Sequence, residues 1–138
     1  DVYKRQVIDM NNQCKLFDLA RDAAAKAYAP YSKFKVGAAV LSTAGQYYSG
    51  CNVENISYPV GTCAEAGAIA AMVNGGDGKI AEILIYADSR QLITPCGACR
   101  QRIAEFSSAD TLIHLANAQG LQKTFKITDL LPFSFEEF

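Results

Sequence analysis

The sequence predicts an α/β fold, a three-layer α/β/α sandwich built on a mixed five-stranded sheet. Three observations carry that prediction. Apolar residues near the start of the chain recur at helical spacing. Two β-rich runs then flank a glycine-containing turn and read as an antiparallel hairpin. Beyond the hairpin, strand and helix patterns alternate, which implies right-handed crossovers that return the chain to the same sheet with helices packed against it.

The elements follow in order. Leu16, Leu19, Ala20, Ala23, Ala24 and Ala27 define one face of a helix over about 12–28, which Ala29-Pro30-Tyr31-Ser32 stops. Phe34 to Leu41 is a strand, and the turn Thr43-Ala44-Gly45-Gln46 leads to a second strand over 46–52. A loop through Asn55-Ile56-Ser57-Tyr58-Pro59 ends at Thr62. Cys63 to Val73 is rich in alanine and almost uncharged, the pattern of a buried helix, and Asn74-Gly75-Gly76-Asp77-Gly78 ends it. Ile80 to Tyr86 is a strand around the apolar run Ile83-Leu84-Ile85, Cys96 to Phe106 a third helix, and Thr111 to Leu115 a fourth strand. A turn at Asn117-Ala118-Gln119-Gly120 precedes a strand near 122–127 and a short helix near 128–131.

The chain has 138 residues, half of them hydrophobic and a fifth charged, which fits one soluble domain with its own core. No repeat or linker divides it. Residues 1–9 show no pattern and Met10 is the first methionine, so 1–9 is read as a tag or disordered N-terminus ahead of a single domain over 10–138. Thirteen Lys and Arg against fourteen Asp and Glu leave a net charge of −1, which excludes a broadly basic protein and argues against a nucleic-acid partner. No apolar run reaches the ~20 residues of a membrane span. Five cysteines cannot all pair with one another. No signal-like segment opens the sequence, so a reducing cytoplasm is the expected compartment, and cysteines clustered there point to metal or catalysis.

The informative cysteines lie in Cys63-Ala64-Glu65 and in Pro95-Cys96-Gly97-Ala98-Cys99. Each falls in the first turn of an expected helix, where free N–H groups and the helix dipole favour thiolate. Cys96 and Cys99 are spaced to put both sulfurs on one ion. If Cys63 converges on them, three thiolates with an open fourth corner make the pattern of a catalytic zinc, and Glu65 lies near enough in sequence to carry protons there. The spacing alone leaves other readings open. A lone C-x-x-C also suits a redox pair, although a redox motif would follow the first strand of a βαβ unit, and this one comes late. A closed structural site needs a fourth ligand. His114, the single histidine, sits mid-strand and reads as a satisfied core or face residue, Cys14 as a helix-surface or packing residue, and Cys51 as a small buried side chain.

The combination of Cys51-Asn52-Val53-Glu54-Asn55, Cys63-Ala64-Glu65 and Pro95-Cys96-Gly97-Ala98-Cys99-Arg100-Gln101 closely resembles the small homotetrameric cytidine deaminases. Ala29 to Ala39 resembles the opening of that family and Leu130-Leu131-Pro132 through Phe135 its end, so the likeness covers about 12–135. The resemblance implies that Cys63, Cys96 and Cys99 bind zinc, that zinc acidifies a water for attack on C4 of the base, and that Glu65 shuttles protons to N3 and the leaving amino group. It further implies nucleoside-binding roles for Phe34, Asn52, Glu54, Tyr58, Ala64 and Phe135. Asn52 and Glu54 take the ribose hydroxyls, an amide and a carboxylate suiting a diol that both donates and accepts. Phe34 packs on the nucleoside. Tyr58 and Phe135 serve a neighbouring subunit's site in a homotetramer with shared active sites, Phe135 by stacking on the base. Without the resemblance, Phe34 reads as core, Asn52 and Glu54 as a solvated hairpin end, and Phe135 as tail packing.

One departure stands out. The family usually follows Cys-Ala-Glu with an arginine that hydrogen-bonds the thiolates, whereas this chain has Ala66 and Gly67. A substitute donor is expected, with Arg100 or Gln101 the nearest candidates, or else slower activation of the water. The expected function is zinc-dependent hydrolytic deamination of cytidine and 2′-deoxycytidine in pyrimidine salvage, with no nucleic-acid or membrane partner. The alternatives are a deaminase of N4-modified cytosine nucleosides or of a cytosine-containing antibiotic, a non-catalytic zinc-binding protein, and a polynucleotide deaminase, which the acidic balance disfavours.

Overall fold

The computed structural model describes the backbone of residues 2–137 and the side chains of 11–137. The chain forms α1 (Val2–Ala25), β1 (Val36–Ser42), β2 (Tyr47–Cys51), a 3₁₀ turn at Tyr58–Val60, α2 (Ala64–Asn74), β3 (Ile80–Ala87), α3 (Gly97–Glu105), β4 (Ser107–Asn117), β5 (Gly120–Phe125) and α4 (Ile127–Leu130). The five strands lie in the order β2-β1-β3-β4-β5. Only β3 and β4 run parallel, joined by α3, and every other neighbouring pair is antiparallel, so the sheet is mixed as expected.

The alternation of side chains along the strands divides the core in two. On one face Leu16, Ala20 and Ala24 of α1 pack on Ala39, Leu41, Leu84 and Tyr86. On the other, Ile69 and Met72 of α2 and Ile103 of α3 pack on Val40, Ile83, Ile85, Ile113 and Leu115. These are the three layers of the sandwich. No described helix is long and apolar enough to cross a membrane.

The boundaries differ from expectation at a few places. The first helix starts at Val2 and ends at Ala25, where 12–28 was expected. Residues 2–9 therefore continue a helix, in keeping with helix formers such as Lys4, Arg5 and Gln6. The fourth strand begins at Ser107, before its apolar run. The polar stretch Ser107–Asp110 is drawn in by a register shift opposite Ile80, where the Thr111 hydroxyl donates to the Ile80 carbonyl (2.7 Å) and accepts the Ser108 amide (2.9 Å). The last strand starts at Gly120, whose φ of 114° suits the tight turn that glycine tolerates.

Gly50 governs how α2 meets the sheet. A Cβ there would stand 2.4 Å from the Ala68 nitrogen and 2.6 Å from the Gly67 carbonyl carbon, so glycine in β2 is what lets the first turns of α2 approach the strand. That contact holds the start of α2, and with it Cys63 and Glu65, beside the end of β2.

Candidate active site

The site grows from two helix starts. Cys63 caps α2 and Cys96 caps α3, both in extended backbone (φ −79°, ψ 158° and φ −66°, ψ 169°). Each therefore lies one residue before its helix, not in the first turn as expected. Neither side chain caps its own helix, so both sulfurs are left to point elsewhere. Cys99, in the first turn of α3, adds a third. The three Sγ atoms lie within 4.8 Å of one another, and no other such group of ligand atoms gathers among the described residues.

Burial grades across the group, with Cys99 buried, Cys63 half-buried and Cys96 exposed. Desolvation pushes the Cys99 thiol far above its ordinary value, and the nearby Glu65 charge adds to the rise. Burial also raises Cys63. Cys96 moves the other way, chiefly because the backbone amide of Cys99 favours its thiolate. A divalent cation supplies the charge compensation that buried thiolates need. Three soft sulfur donors within one ion's reach fit zinc, with exposure at Cys96 leaving a side open.

The remaining cysteines and the histidine stay outside the group, as expected. Cys14 is exposed on α1, and Cys51 ends β2 half-buried, not buried as expected. His114 is fully buried with both ring nitrogens engaged, Nε2 at 2.7 Å from Glu82 Oε1 and Nδ1 at 2.8 Å from Thr124 Oγ1. It is a satisfied core residue.

Glu65 is the second residue of α2 and is only 5 % exposed. Burial raises its pKa, against the opposing pull of its own amide, of Cys99 and of Arg102. A carboxyl held in this way beside a metal group is suited to carry a proton.

A cleft of about 510 Å³ opens beside Cys63, with Asn52, Glu54, Tyr31, Tyr58 and Thr62 in its walls. The chain builds it by tying three segments together. Val53 exchanges backbone hydrogen bonds with Thr62 (3.0 and 2.9 Å), and the Glu54 amide donates to the Tyr28 carbonyl (2.8 Å). Thr62 is thereby fixed one residue before Cys63, so the Asn52–Glu54 segment lies against the metal group.

Asn52 is oriented by its neighbours. Its Oδ1 accepts the Val36 amide (2.8 Å) and its Nδ2 donates to the Phe34 carbonyl (2.8 Å). Glu54 Oε1 accepts the amides of Tyr31 (3.0 Å) and Ser32 (3.1 Å). The Ser32 hydroxyl foremost, then the backbone amides of Ser32 and Tyr31 and the Lys33 charge, hold its carboxyl below the usual range. A depressed pKa means that these bonds are fully present above the ordinary carboxylate range and are lost as pH falls through the lower, folded value. Protection of the Tyr31 and Ser32 amides, as exchange normalised to the intrinsic rate at each pH, is thus expected to fall only below the pH at which free glutamate titrates. Loss of protection at or above that pH would contradict the assignment.

The structure places the other expected residues as follows. Tyr58 is exposed at the cleft, its ring edge-on to Tyr31 with centroids 6.1 Å apart. Phe34 is partly exposed but lies outside the cleft lining, joined to it through its carbonyl on Asn52. The Ala64 side chain is fully buried in the core under α2, so only its backbone is left to face a ligand. Phe135 is exposed, and its backbone is clamped to α3 by Gln101, which donates to the carbonyl (3.0 Å) and accepts from the amide (3.1 Å).

Gln101 is therefore committed to the C-terminal segment, and neither it nor Arg100 is the substitute donor expected near Ala66. Arg100 donates to the carbonyls of Pro95 (2.9 Å) and Leu130 (2.8 Å) and to Thr94 Oγ1 (3.2 Å). The guanidinium that reaches a sulfur of the group is that of Arg102, whose Nη1 lies 3.4 Å from Cys99 Sγ. Arg102 does not adjoin the cysteine motif, so nearness in sequence does not single it out. The three-residue spacing from Cys99, which stacks side chains on one helix face, was the available signal. Tyr31, Ser32 and Thr62 were also missed, and no local pattern announces that their backbone closes the cleft.

Fold and site together define an α/β protein with a three-cysteine zinc site at two helix starts. The family model for the cytidine and deoxycytidylate deaminase zinc-binding region matches residues 10–115. The chain is 40 % identical over 123 residues to the cytidine deaminase of Sporosarcina psychrophila, covering 89 % of this chain and 90 % of that one. It is 42 % identical over 109 residues to the cytidine deaminase of Halalkalibacterium halodurans, covering 79 % and 83 %. The crystal structure of cytidine deaminase from Burkholderia pseudomallei superposes with a TM-score of 0.82 at 41 % identity, over 88 % of this chain and 97 % of that one. The chain belongs to the cytidine and deoxycytidylate deaminase family.

Proposed function

We propose that the chain is a zinc-dependent cytidine deaminase that converts cytidine and 2′-deoxycytidine to uridine and 2′-deoxyuridine with release of ammonia. The observation that carries the reading is the convergence of Cys63, Cys96 and Cys99 beside buried Glu65 at the edge of the cleft. Relatives named cytidine deaminase that align over most of both chains support the same substrate class.

Cys63, Cys96 and Cys99 hold the ion. A zinc ion held there would supply Lewis acidity and make a water more acidic. Glu65 takes a proton from the water on a carboxylate oxygen and delivers it to ring N3. With the water oxygen bonded to C4, Glu65 takes the remaining proton from the new C4 hydroxyl and passes it to the exocyclic nitrogen, so that the C4–N bond breaks, ammonia leaves and the C4 carbonyl forms. The pKa of Glu65, raised by burial, makes its carboxyl a readier proton acceptor than an ordinary glutamate. Asn52 and Glu54 bind the ribose hydroxyls. Asn52 enters this role pre-oriented, because the backbone of 34–36 already fixes its amide plane. The Ala64 backbone flanks the nucleoside, and Phe34, which does not line the cleft, is set beside it through its carbonyl on Asn52.

Residues 10–138 form the catalytic domain, which the start of the family match at residue 10 supports. The enzyme works as a cytoplasmic homotetramer in pyrimidine salvage, with Tyr58 and Phe135 completing a neighbouring subunit's site. Their exposure supports this, as does the exposure of Ile56, Val60 and Phe133. Deleting residues 133–138 is expected to raise KM by roughly 5–150-fold while zinc stays bound, since base–aromatic stacking is worth about 1–3 kcal/mol. A truncated protein that is a fully active monomer would refute the shared site.

A substrate panel tests the assignment. Cytidine, 2′-deoxycytidine, an N4-substituted cytidine and a cytosine-containing oligonucleotide are offered to zinc-loaded protein. Turnover of the first two is expected. Turnover of the N4-substituted compound alone would transfer the assignment to modified nucleosides, and inactivity on all four would indicate a non-catalytic zinc protein.

A further inference from the structure

Cys99 and Arg102 stand three residues apart in α3, so helix geometry stacks them on one face. The 3.4 Å approach of Arg102 Nη1 to Cys99 Sγ makes the sulfur a hydrogen-bond acceptor for the guanidinium. The contact is not a by-product of an ion pair. The ion pairs among the described residues join Arg21 to Asp18 and Asp22, and His114 to Glu82, and Arg102 takes part in none.

The site has a use for such a cation. Three thiolates outweigh the charge of a divalent ion, and Glu65 adds further negative charge when ionised. An excess of negative charge weakens a metal's Lewis acidity, and partners that hydrogen-bond the ligands counter this. On α2 the position after Cys63-Ala64-Glu65 is Ala66, followed by Gly67, and neither can donate from a side chain. On α3, Arg100 is turned away to Pro95, Leu130 and Thr94.

Resting on the zinc reading above, we propose that Arg102 is a positioning residue of the metal site. Its hydrogen bond fixes the Cys99 sulfur, and its charge offsets the thiolate excess from α3 because α2 presents Ala66 at the corresponding place. The competing role is purely structural. Arg102 lies in the last turn of its helix, where a cation favours the helix dipole wherever the metal is.

The two roles separate in one experiment. Arg102→Met and Arg102→Gln are made in the full chain, at a surface position where loss of the side chain leaves the core intact. Zinc affinity is measured by competition with a chromophoric chelator, and Tm is measured for zinc-loaded and metal-stripped protein. Affinity is expected to fall roughly 10–100-fold in both variants, the usual cost of removing a residue that supports a ligand. Tm should fall in the loaded protein and stay level in the stripped protein. Affinity within about twofold of the parent in both variants overturns the proposal. So does an equal loss of Tm in loaded and stripped forms, which assigns Arg102 to the helix end. A parent protein that holds no zinc overturns the zinc reading itself, and this proposal with it.

Discussion

Glu65→Gln is expected to keep the fold and the zinc yet lose turnover by at least ~10²–10⁴-fold, the usual scale of general acid–base help. The loss should exceed that range if one carboxyl serves each proton transfer in turn. The glutamine is nearly isosteric, and Glu65 sits in a tight environment at 5 % exposure, so packing should change little. What changes is titration, because an amide neither accepts the water's proton nor returns one to N3. Burial raises the glutamate's pKa, which costs the ionised form stability and brings the group toward the pH at which it must work. The measurement is kcat on cytidine at matched zinc content. Near-normal kcat would remove Glu65 from the mechanism and leave the water without an identified base.

Cys99→Ala should abolish activity by a different route. Cys99 is the buried member of the sulfur group and lies against both Glu65 and Arg102. Its removal leaves two donors, one of them exposed, and zinc content should fall from about one per chain to near zero after gel filtration, since a catalytic site keeps three protein ligands. Cys63→Ala and Cys96→Ala should behave alike, whereas Cys14→Ala and Cys51→Ala should retain the metal. Full zinc occupancy in Cys63→Ala would break the three-sulfur assignment, and metal loss from Cys51→Ala would call for a ligand the cluster does not contain.

The parts of this molecule that sequence made legible are those in which one residue type has one physical use. The alanine-rich stretch after Cys63 has too little charge to face water, and it forms α2 against the sheet. The apolar run Ile83-Leu84-Ile85 is the middle of a strand covered on both faces, as its continuous pattern requires. Cys96 and Cys99 could be paired by spacing, the family resemblance adds Cys63, and the three sulfurs do gather. His114 could be set aside as a core residue, and Glu82 with Thr124 satisfies it.

What stayed hidden depends on tertiary contact. The length of β4 is set by a threonine hydroxyl bonding to a neighbouring strand, a contact that no window of the sequence contains. The cleft is closed by backbone groups of Tyr31 and Ser32, which are chemically ordinary until Glu54 reaches them. Arg100 and Gln101 adjoin the cysteine motif and are the nearest donors in sequence. Arg100 is diverted to Pro95 and Leu130, and Gln101 to Phe135, leaving Arg102, one further place along, in line with Cys99. Adjacency in sequence was the wrong measure there, and helical periodicity was the right one.

The dependence of cytidine turnover on metal is the most direct test of a three-thiolate zinc deaminase. Protein stripped with a chelator is given cytidine, and the ultraviolet spectrum is followed before and after zinc is restored. The expected result is a silent stripped protein and, on addition of zinc to about one ion per chain, conversion of the cytidine spectrum to that of uridine with matching ammonia release. A zinc-loaded protein that leaves the cytidine spectrum unchanged would contradict the assignment, as would a stripped protein that deaminates at the same rate.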